Sequence, residues 1–343
     1  MTVRVGINGF GRIGRSFFRA LLERGADAGV ELVAVNDPFG DAETMAFLLG
    51  HDSVGGRLSN EIEATDGGFS VDGHEVKKLD SRDPAEIPWG AEGVEVVIES
   101  TGLFTAREKA AAHLQGGAKR VVISAPSGDA DATICMGVND DVFDPAKDTV
   151  VSNASCTTNC LAPMAKVLDD SFGIEHGFIT TVHAYTTDQQ LQDQATATRG
   201  GKADLRRMRA AGLSIIPSST GAARAIGVVL PDLKGRLDGL ALRVPTPVGS
   251  ITDLVATLKT EASVDDVNTA FAKAAENPSY RGVLESTDEP LVSADIVGNP
   301  SSCIFSAYDT MAAGKTVKVL GWYDNEWGYS NRLVDLVGFI GAK

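Results

Sequence analysis

The hexapeptide Gly9-Phe10-Gly11-Arg12-Ile13-Gly14 is a G-x-G-x-x-G that ends one apolar run and opens a helical pattern, and it constrains this chain more than any other feature. Glycines at that spacing suit a strand that turns sharply into a helix. Gly9 permits the turn, Gly11 lets backbone approach a pyrophosphate, and Gly14 allows the helix to pack on the strand. The preceding run, Val3 to Ile7, is strand-like. After the motif, Ile13, Phe17, Ala20 and Leu21 recur at helical spacing, with Arg12, Arg15, Arg19 and Glu23 on the other face. A second strand, Glu31 to Asn36, completes a βαβ unit. Asp37 follows, roughly 20 residues past Gly14, where a carboxylate meets adenosine ribose hydroxyls and opposes a 2′-phosphate. Together these features point to NAD; the alternative is a glycine-rich turn without nucleotide and an Asp that merely ends a strand.

Further strand-like runs at Val94 to Glu99, Val121 to Ser124 and Thr149 to Ser152 alternate with helical patterns, as in a doubly wound parallel sheet. Between Asp52 and Pro88, Phe69 to Val71 and His74 to Leu79 suggest a small hairpin excursion. Beyond Cys156 a helical pattern through Leu161, Met164, Ala165 and Leu168 ends near Gly173. Strands are then expected at Phe178 to Tyr185, Leu237 to Val244, Ser250 to Lys259, Leu291 to Val297 and Ser302 to Asp309, without regular helical crossovers. Ser263 opens a helix with Asp266 as a capping-box partner, Gln192 to Lys202 reads as an exposed loop, and Trp327 to Ile340 as a closing helix. The expected fold class is α/β. A Rossmann-type doubly wound parallel sheet domain, residues 1–155, is completed by a C-terminal helix, 325–343, and joined by an α+β catalytic domain, 156–324, with a mostly antiparallel sheet. A length of 343 residues agrees with two domains of about 150 each.

Thirty-one Lys plus Arg against 46 Asp plus Glu gives a net charge of −15, which argues against nucleic acid or an anionic membrane as partner. A small anionic substrate must then be drawn in by a few cations in a cleft. No apolar run reaches the roughly 18 residues of a membrane span. Four cysteines are too few for a disulfide scaffold, so reduced thiols and a cytoplasmic setting are expected.

Ser152 to Cys160 passes from a strand end into a helix and places Cys156 in its first turn, where the helix N-terminus favours a thiolate. His183, on the Thr180 to Tyr185 strand, is the candidate base for that nucleophile. Cys160, one turn on, is expected to face the core, and His51, His74, His113 and His176 read as loop or surface residues. An inert Cys156 is one alternative. Another is a metal pair of Cys156 and Cys160 with His176 or His183, but no C-x-x-C or closely spaced His pair completes a zinc site, so no metal is expected.

Five motifs then resemble the phosphorylating glyceraldehyde-3-phosphate dehydrogenases. They are Ile7 to Arg15, Ala154-Ser155-Cys156-Thr157-Thr158-Asn159-Cys160, Thr220-Gly221-Ala222-Ala223, Leu242 to Pro247 and Trp322 to Ser330, in order along essentially the whole chain. The resemblance implies that Cys156 attacks the aldehyde of glyceraldehyde 3-phosphate and that His183 takes the hydroxyl proton as hydride leaves to NAD. Inorganic phosphate then converts the thioester to 1,3-bisphosphoglycerate, a step of glycolysis and gluconeogenesis. It also implies Thr186, Asp188 and Arg243 at the substrate phosphate, and Ser155, Thr157, Thr220 and Gly221, with Arg207, at the attacking phosphate. Asn8, Arg12, Ile13, Asp37, Arg82, Ser124 and Asn325 fall around NAD, with Tyr329 near the nicotinamide, in a cytoplasmic homotetramer. One departure from the family pattern is the segment Ala195 to Gly201, which lengthens the loop between His183 and Ile215. The alternatives are an erythrose-4-phosphate dehydrogenase, a semialdehyde dehydrogenase, and a non-catalytic NAD-binding redox sensor.

Overall fold

Val3–Asn8 is the strand around which the first of two units forms in the computed structural model, which describes residues 2–195 and 204–343. That unit comprises Met1–Ser155 and Tyr329–Lys343; the second comprises Cys156–Gly328. Most of the loop expected over 192–202, and of the 195–201 departure, lies outside the described residues.

The sheet of the first unit runs Ala132–Thr133, Val150–Ser152, Arg120–Ile123, Val96–Glu99, Val3–Asn8, Val30–Asn36, His74–Leu79, Gly68–Val71, Ile62–Thr65. Pairing is parallel as far as His74–Leu79 and antiparallel beyond. The hairpin excursion therefore extends the main sheet, tied to it by buried Phe69, whose ring stacks on Phe10 at 5.6 Å. Val3–Asn8 lies between Val30–Asn36 and Val96–Glu99, so the strand order reverses there. The carboxyl ends at such a reversal open a ligand crevice, and here they are Asn8, Asn36 and Glu99.

The helix Arg12–Arg24 buries Phe17, Ala20 and Leu21 on the sheet. Two sequence expectations are corrected here. Arg19, expected on the outer face, is buried, because its guanidinium donates to the carbonyls of Leu49 and Gly56, each at 2.9 Å. His113, expected at the surface, is fully buried; it accepts the Trp89 Nε1–H at 3.0 Å and faces Glu99 at 3.0 Å. Its alanine and glycine neighbours carry little amphipathic signal, so only the long-range partners give its burial away.

In the second unit the sheet order is Ile216–Ser219, Leu237–Val244, Ile174–Ala184, Ser250–Leu258, Thr316–Tyr323, Cys303–Ala313, Leu284–Thr287. It is mostly antiparallel; Ile174–Ala184 pairs in parallel with Leu237–Val244, and Leu284–Thr287 with Cys303–Ala313. The strand expected at Leu291 to Val297 is absent. That stretch holds a 3-10 turn, Ser293–Ile296, with Val292 and Val297 exposed and the Asp295 carboxylate accepting Val292 N–H at 2.8 Å. A local side-chain bond competes with the ladder where β-branched residues have no face to bury. The Ser263 capping box forms, and its helix, Val264–Ala275, buries Val267 and Phe271, the latter stacked on Phe305 at 3.8 Å. Cys156–Phe172 packs on the same sheet at Gly321, where a Cβ would come within 2.4 Å of Met164 Sδ.

Candidate active site

Cys156 is the first residue of its helix. Ala154, two residues earlier, is held at φ 54, a left-handed conformation that costs a residue with a Cβ about 1–3 kcal/mol, and its carbonyl accepts Tyr329 O–H at 3.1 Å. The sharp entry aims a half-buried Cys156 while Cys160, one turn on, points into the core with Sγ 3.5 Å from the Gly321 carbonyl.

His183 lies on Ile174–Ala184 and presents Nε2 at 3.3 Å from Cys156 Sγ. Its Nδ1 is 2.7 Å from the Ala184 carbonyl, which holds the ring with Nε2 turned toward sulfur. Arg243 is the register partner of His183 on the neighbouring strand. Its Nη1 lies 2.8 Å from His183 Nδ1 and donates to the Ala184 carbonyl at 3.0 Å and to Thr186 Oγ1 at 3.3 Å. Burial, reinforced by the Arg243 cation, pushes the His183 imidazole down to about 3, while burial pushes the Cys156 thiol up against the lowering pull of Arg243. The resting pair is thus a neutral thiol facing a neutral imidazole.

Arg243 Nε is buried without a hydrogen-bond partner among the described residues, an open donor in a guanidinium suited to an oxyanion. Thr186 Oγ1 donates to Asp188, whose carboxylate also takes Arg207, and Arg207 Nε donates to Ser218 Oγ at 2.9 Å. Burial raises the Asp188 carboxyl, but the Thr186 hydrogen bond and the Arg207 and Arg243 cations hold it below its ordinary value. Thr186, Asp188, Arg207 and Arg243 are therefore one cluster beside His183. The nearby Arg209 pairs with Asp193. Thr157 Oγ1 is turned inward, 2.9 Å from Tyr323 Oη; Thr220 and Gly221 sit at the start of helix Ala222–Val229, and Ser155 directly precedes Cys156 at the end of the first unit.

The cofactor candidates of the first unit gather at the carboxyl edge of its parallel sheet. Gly9 adopts φ 93, a Cβ on Gly14 would lie 2.5 Å from the Gly9 carbonyl, and a Cβ on Gly11 would meet nothing within 4 Å. The first two values explain the turn and packing; the third leaves the backbone approachable at the helix N-terminus, a cradle that fits a dinucleotide pyrophosphate. Asp37 accepts Phe10 N–H and Phe39 N–H, each at 2.9 Å, and Arg82 lies over the Phe39 ring at 4.9 Å. Ile13 is half-buried, Arg12 pairs with Asp52, and Ser124 Oγ donates to the Glu99 carbonyl at 3.1 Å. Asn8 is buried, with its amide on Glu99 at 2.6 Å. Asn325, in the second unit, accepts Ser250 O–H at 2.8 Å; Tyr329, in the first, is buried.

Sequence reasoning missed Tyr323. Its hydroxyl bonds Thr157 and Thr181, at 2.9 and 2.8 Å, and its ring meets His183 edge-on at 5.9 Å, bracing the base. Its place in the Trp322 to Ser330 motif was the available signal.

Comparison with known proteins fits this geometry. Residues 3–107 match the family model described as glyceraldehyde 3-phosphate dehydrogenase, NAD binding domain, and residues 155–325 the one described as its C-terminal domain. A glyceraldehyde-3-phosphate dehydrogenase of Streptomyces coelicolor is 58% identical over 344 residues, covering 100% of both chains. One of Mycobacterium avium is 57% identical over 348 residues, again covering 100% of both.

Proposed function

The chain belongs to the glyceraldehyde-3-phosphate dehydrogenase family, and on that footing we propose that it oxidises glyceraldehyde 3-phosphate, with NAD and inorganic phosphate, to 1,3-bisphosphoglycerate in glycolysis. We assign NAD binding to the unit Met1–Ser155 with Tyr329–Lys343, and catalysis to Cys156–Gly328. The observation that carries the reading is the 3.3 Å approach of Cys156 Sγ to His183 Nε2 beside the Arg243 cation.

In this reading Cys156 sulfur adds to the aldehyde carbon as its proton passes to His183 Nε2 and on to the carbonyl oxygen, forming a thiohemiacetal and returning the imidazole to its neutral form. An anionic phosphate on the substrate offsets the charge of Arg243 and so eases protonation of the imidazole. The contact of Nδ1 with the Ala184 carbonyl keeps the ring oriented. NAD, when bound, supplies the hydride acceptor. His183 removes the hydroxyl proton as the carbon is oxidised, leaving a thioester on Cys156. The cations of the Arg243 and Arg207 cluster and the polar groups of Ser155, Thr157, Thr220 and Gly221 receive the two phosphates. Inorganic phosphate then attacks the thioester carbonyl, releasing the acyl phosphate and the Cys156 sulfur. Asn8, Gly9, Gly11, Arg12, Ile13, Gly14, Asp37, Arg82, Ser124, Asn325 and Tyr329 are assigned to the cofactor, Tyr329 through the Ala154 backbone it holds.

We also assign a homotetramer in the cytoplasm. Support comes from exposed apolar side chains in the second unit, Phe178, Leu191, Leu205, Leu213 and Ile215, which contact with further copies would bury, and from four cysteines that are all free thiols. Among the described residues no helix is long and apolar enough to cross a membrane. The test is NADH formation from glyceraldehyde 3-phosphate with and without inorganic phosphate, against erythrose 4-phosphate and NADP. Phosphate-dependent NADH production is expected; NAD binding without any turnover would overturn the reading in favour of a sensor. Light scattering on the purified protein checks the tetramer, which a monomer at working concentration would refute.

A further inference from the structure

Glu99 ends the strand Val96–Glu99 with its side chain fully buried, and among the described residues no Lys or Arg pairs with it. Trp89 Nε1 is only a donor, so the Nδ1 of His113 must be the acceptor in their 3.0 Å bond, and the single ring proton then sits on Nε2, donated to Glu99 at 3.0 Å. Asn8 Nδ2 donates to the same carboxylate oxygen at 2.6 Å. The other oxygen takes Thr101 N–H at 2.9 Å and the Thr101 hydroxyl. Asn36 Nδ2 donates to Asn8 Oδ1 at 2.7 Å, so every donor and acceptor from Trp89 to Asn36 has a fixed direction.

This chain of bonds runs under the glycine turn. A Cβ on Gly9 would lie 2.8 Å from Thr101 N, and Ser100 Oγ donates to the Gly9 carbonyl at 2.6 Å. The backbone carbonyl of Glu99 accepts both Ser124 N–H, at 3.0 Å, and Ser124 O–H, at 3.1 Å. Asn8, Thr101 and Ser124 are thus all fixed by one buried residue, and each lies at the carboxyl end of a strand at or beside the strand-order reversal.

We propose that Glu99 is the positioning residue of the dinucleotide site, its carboxylate oriented by His113 and Trp89 and holding Asn8 and Thr101 so that the Gly9 turn keeps the shape that receives the pyrophosphate. This rests on the reading that the first unit binds NAD. A buried acceptor satisfied by four neutral donors tolerates no donor in its place. In Glu99→Gln an amide N–H would face one of the two donor pairs, and the turn would lose that support.

The experiment compares Glu99→Gln with the parent by calorimetric NAD titration and steady-state kinetics on the full chain. NAD affinity is expected to weaken about tenfold or more, as for a lost hydrogen bond to a charged group, while KM for glyceraldehyde 3-phosphate stays within about twofold. A folded variant that binds NAD as tightly as the parent overturns the proposal. So does one that loses stability with both KM values rising alike, which is what a purely structural role produces. Thr101→Val removes one hydroxyl donor and keeps the side-chain shape, and it decides the matter if Glu99→Gln does not fold. It is expected to weaken NAD about threefold or more without moving KM for the aldehyde, and unchanged NAD affinity overturns the proposal. A parent protein that binds no NAD would instead overturn the cofactor reading itself.

Discussion

Cys156 Sγ lies 3.3 Å from His183 Nε2 although 27 residues separate them in sequence. The helix that begins at Cys156 and the strand that ends at Ala184 pack so that the first turn of one meets the last residues of the other. A thiol is thereby set beside an imidazole that burial keeps uncharged at rest.

Cys156→Ser is expected to abolish NADH formation while leaving NAD affinity unchanged, because serine has no thiol to ionise. His183→Asn is expected to lower kcat by about 10²–10⁴-fold. Rates of Cys156 alkylation by iodoacetamide in the His183 variant check the same contact; an alkylation rate and kcat equal to the parent's would remove His183 from the mechanism.

Arg243→Lys keeps the charge but loses the planar fork and Nε. KM for glyceraldehyde 3-phosphate is expected to rise about tenfold or more, with NAD affinity unmoved. Steady-state titration of each substrate reads this, and an unchanged aldehyde KM would place the substrate phosphate elsewhere.

His183 is held near 3 in the folded protein against an ordinary value of 6.5. The unfolded chain therefore takes up a proton that the folded chain refuses between those limits, so this residue costs stability as pH falls from 6.5 toward 3. Between pH 7 and 5 the loss in the parent should exceed that in His183→Gln by about 2 kcal/mol. Urea midpoints at the two pH values measure the difference, and equal losses would contradict the buried neutral imidazole.

Gly14→Ala and Gly11→Ala should separate packing from binding. A Cβ at Gly14 collides with the Gly9 carbonyl, so that variant is expected to lose about 1–3 kcal/mol of stability. A Cβ at Gly11 meets only open space, so that variant is expected to melt within a few degrees of the parent, yet bind NAD about tenfold more weakly. A Gly11 variant with parental NAD affinity would mean that nothing bound approaches the backbone there.

The local readings that held share a physical basis. The Gly9 to Gly14 turn, the Ser263 cap and the alternating strands are set by residues a few positions apart, and short-range sterics and hydrogen bonds leave their mark in sequence spacing. The strand expected at Leu291 to Val297 failed because β-branched composition says nothing about whether a face will be covered. His113 and Arg19 were misread because a buried polar side chain is made tolerable by partners that lie far off in sequence, Glu99 and Trp89 for one and the Leu49 and Gly56 carbonyls for the other.

Residue order alone was enough to specify the two kinds of sheet, the glycine turn and, through the motifs, the family. Folding in three dimensions was needed to set Arg243 against His183 Nδ1, to brace the base with Tyr323, and to gather Asn8, Thr101 and His113 on Glu99. Strand register and burial create those relations. Neither is encoded in the spacing of any one segment, because each depends on which distant strand supplies the partner and on how far water is excluded once it arrives.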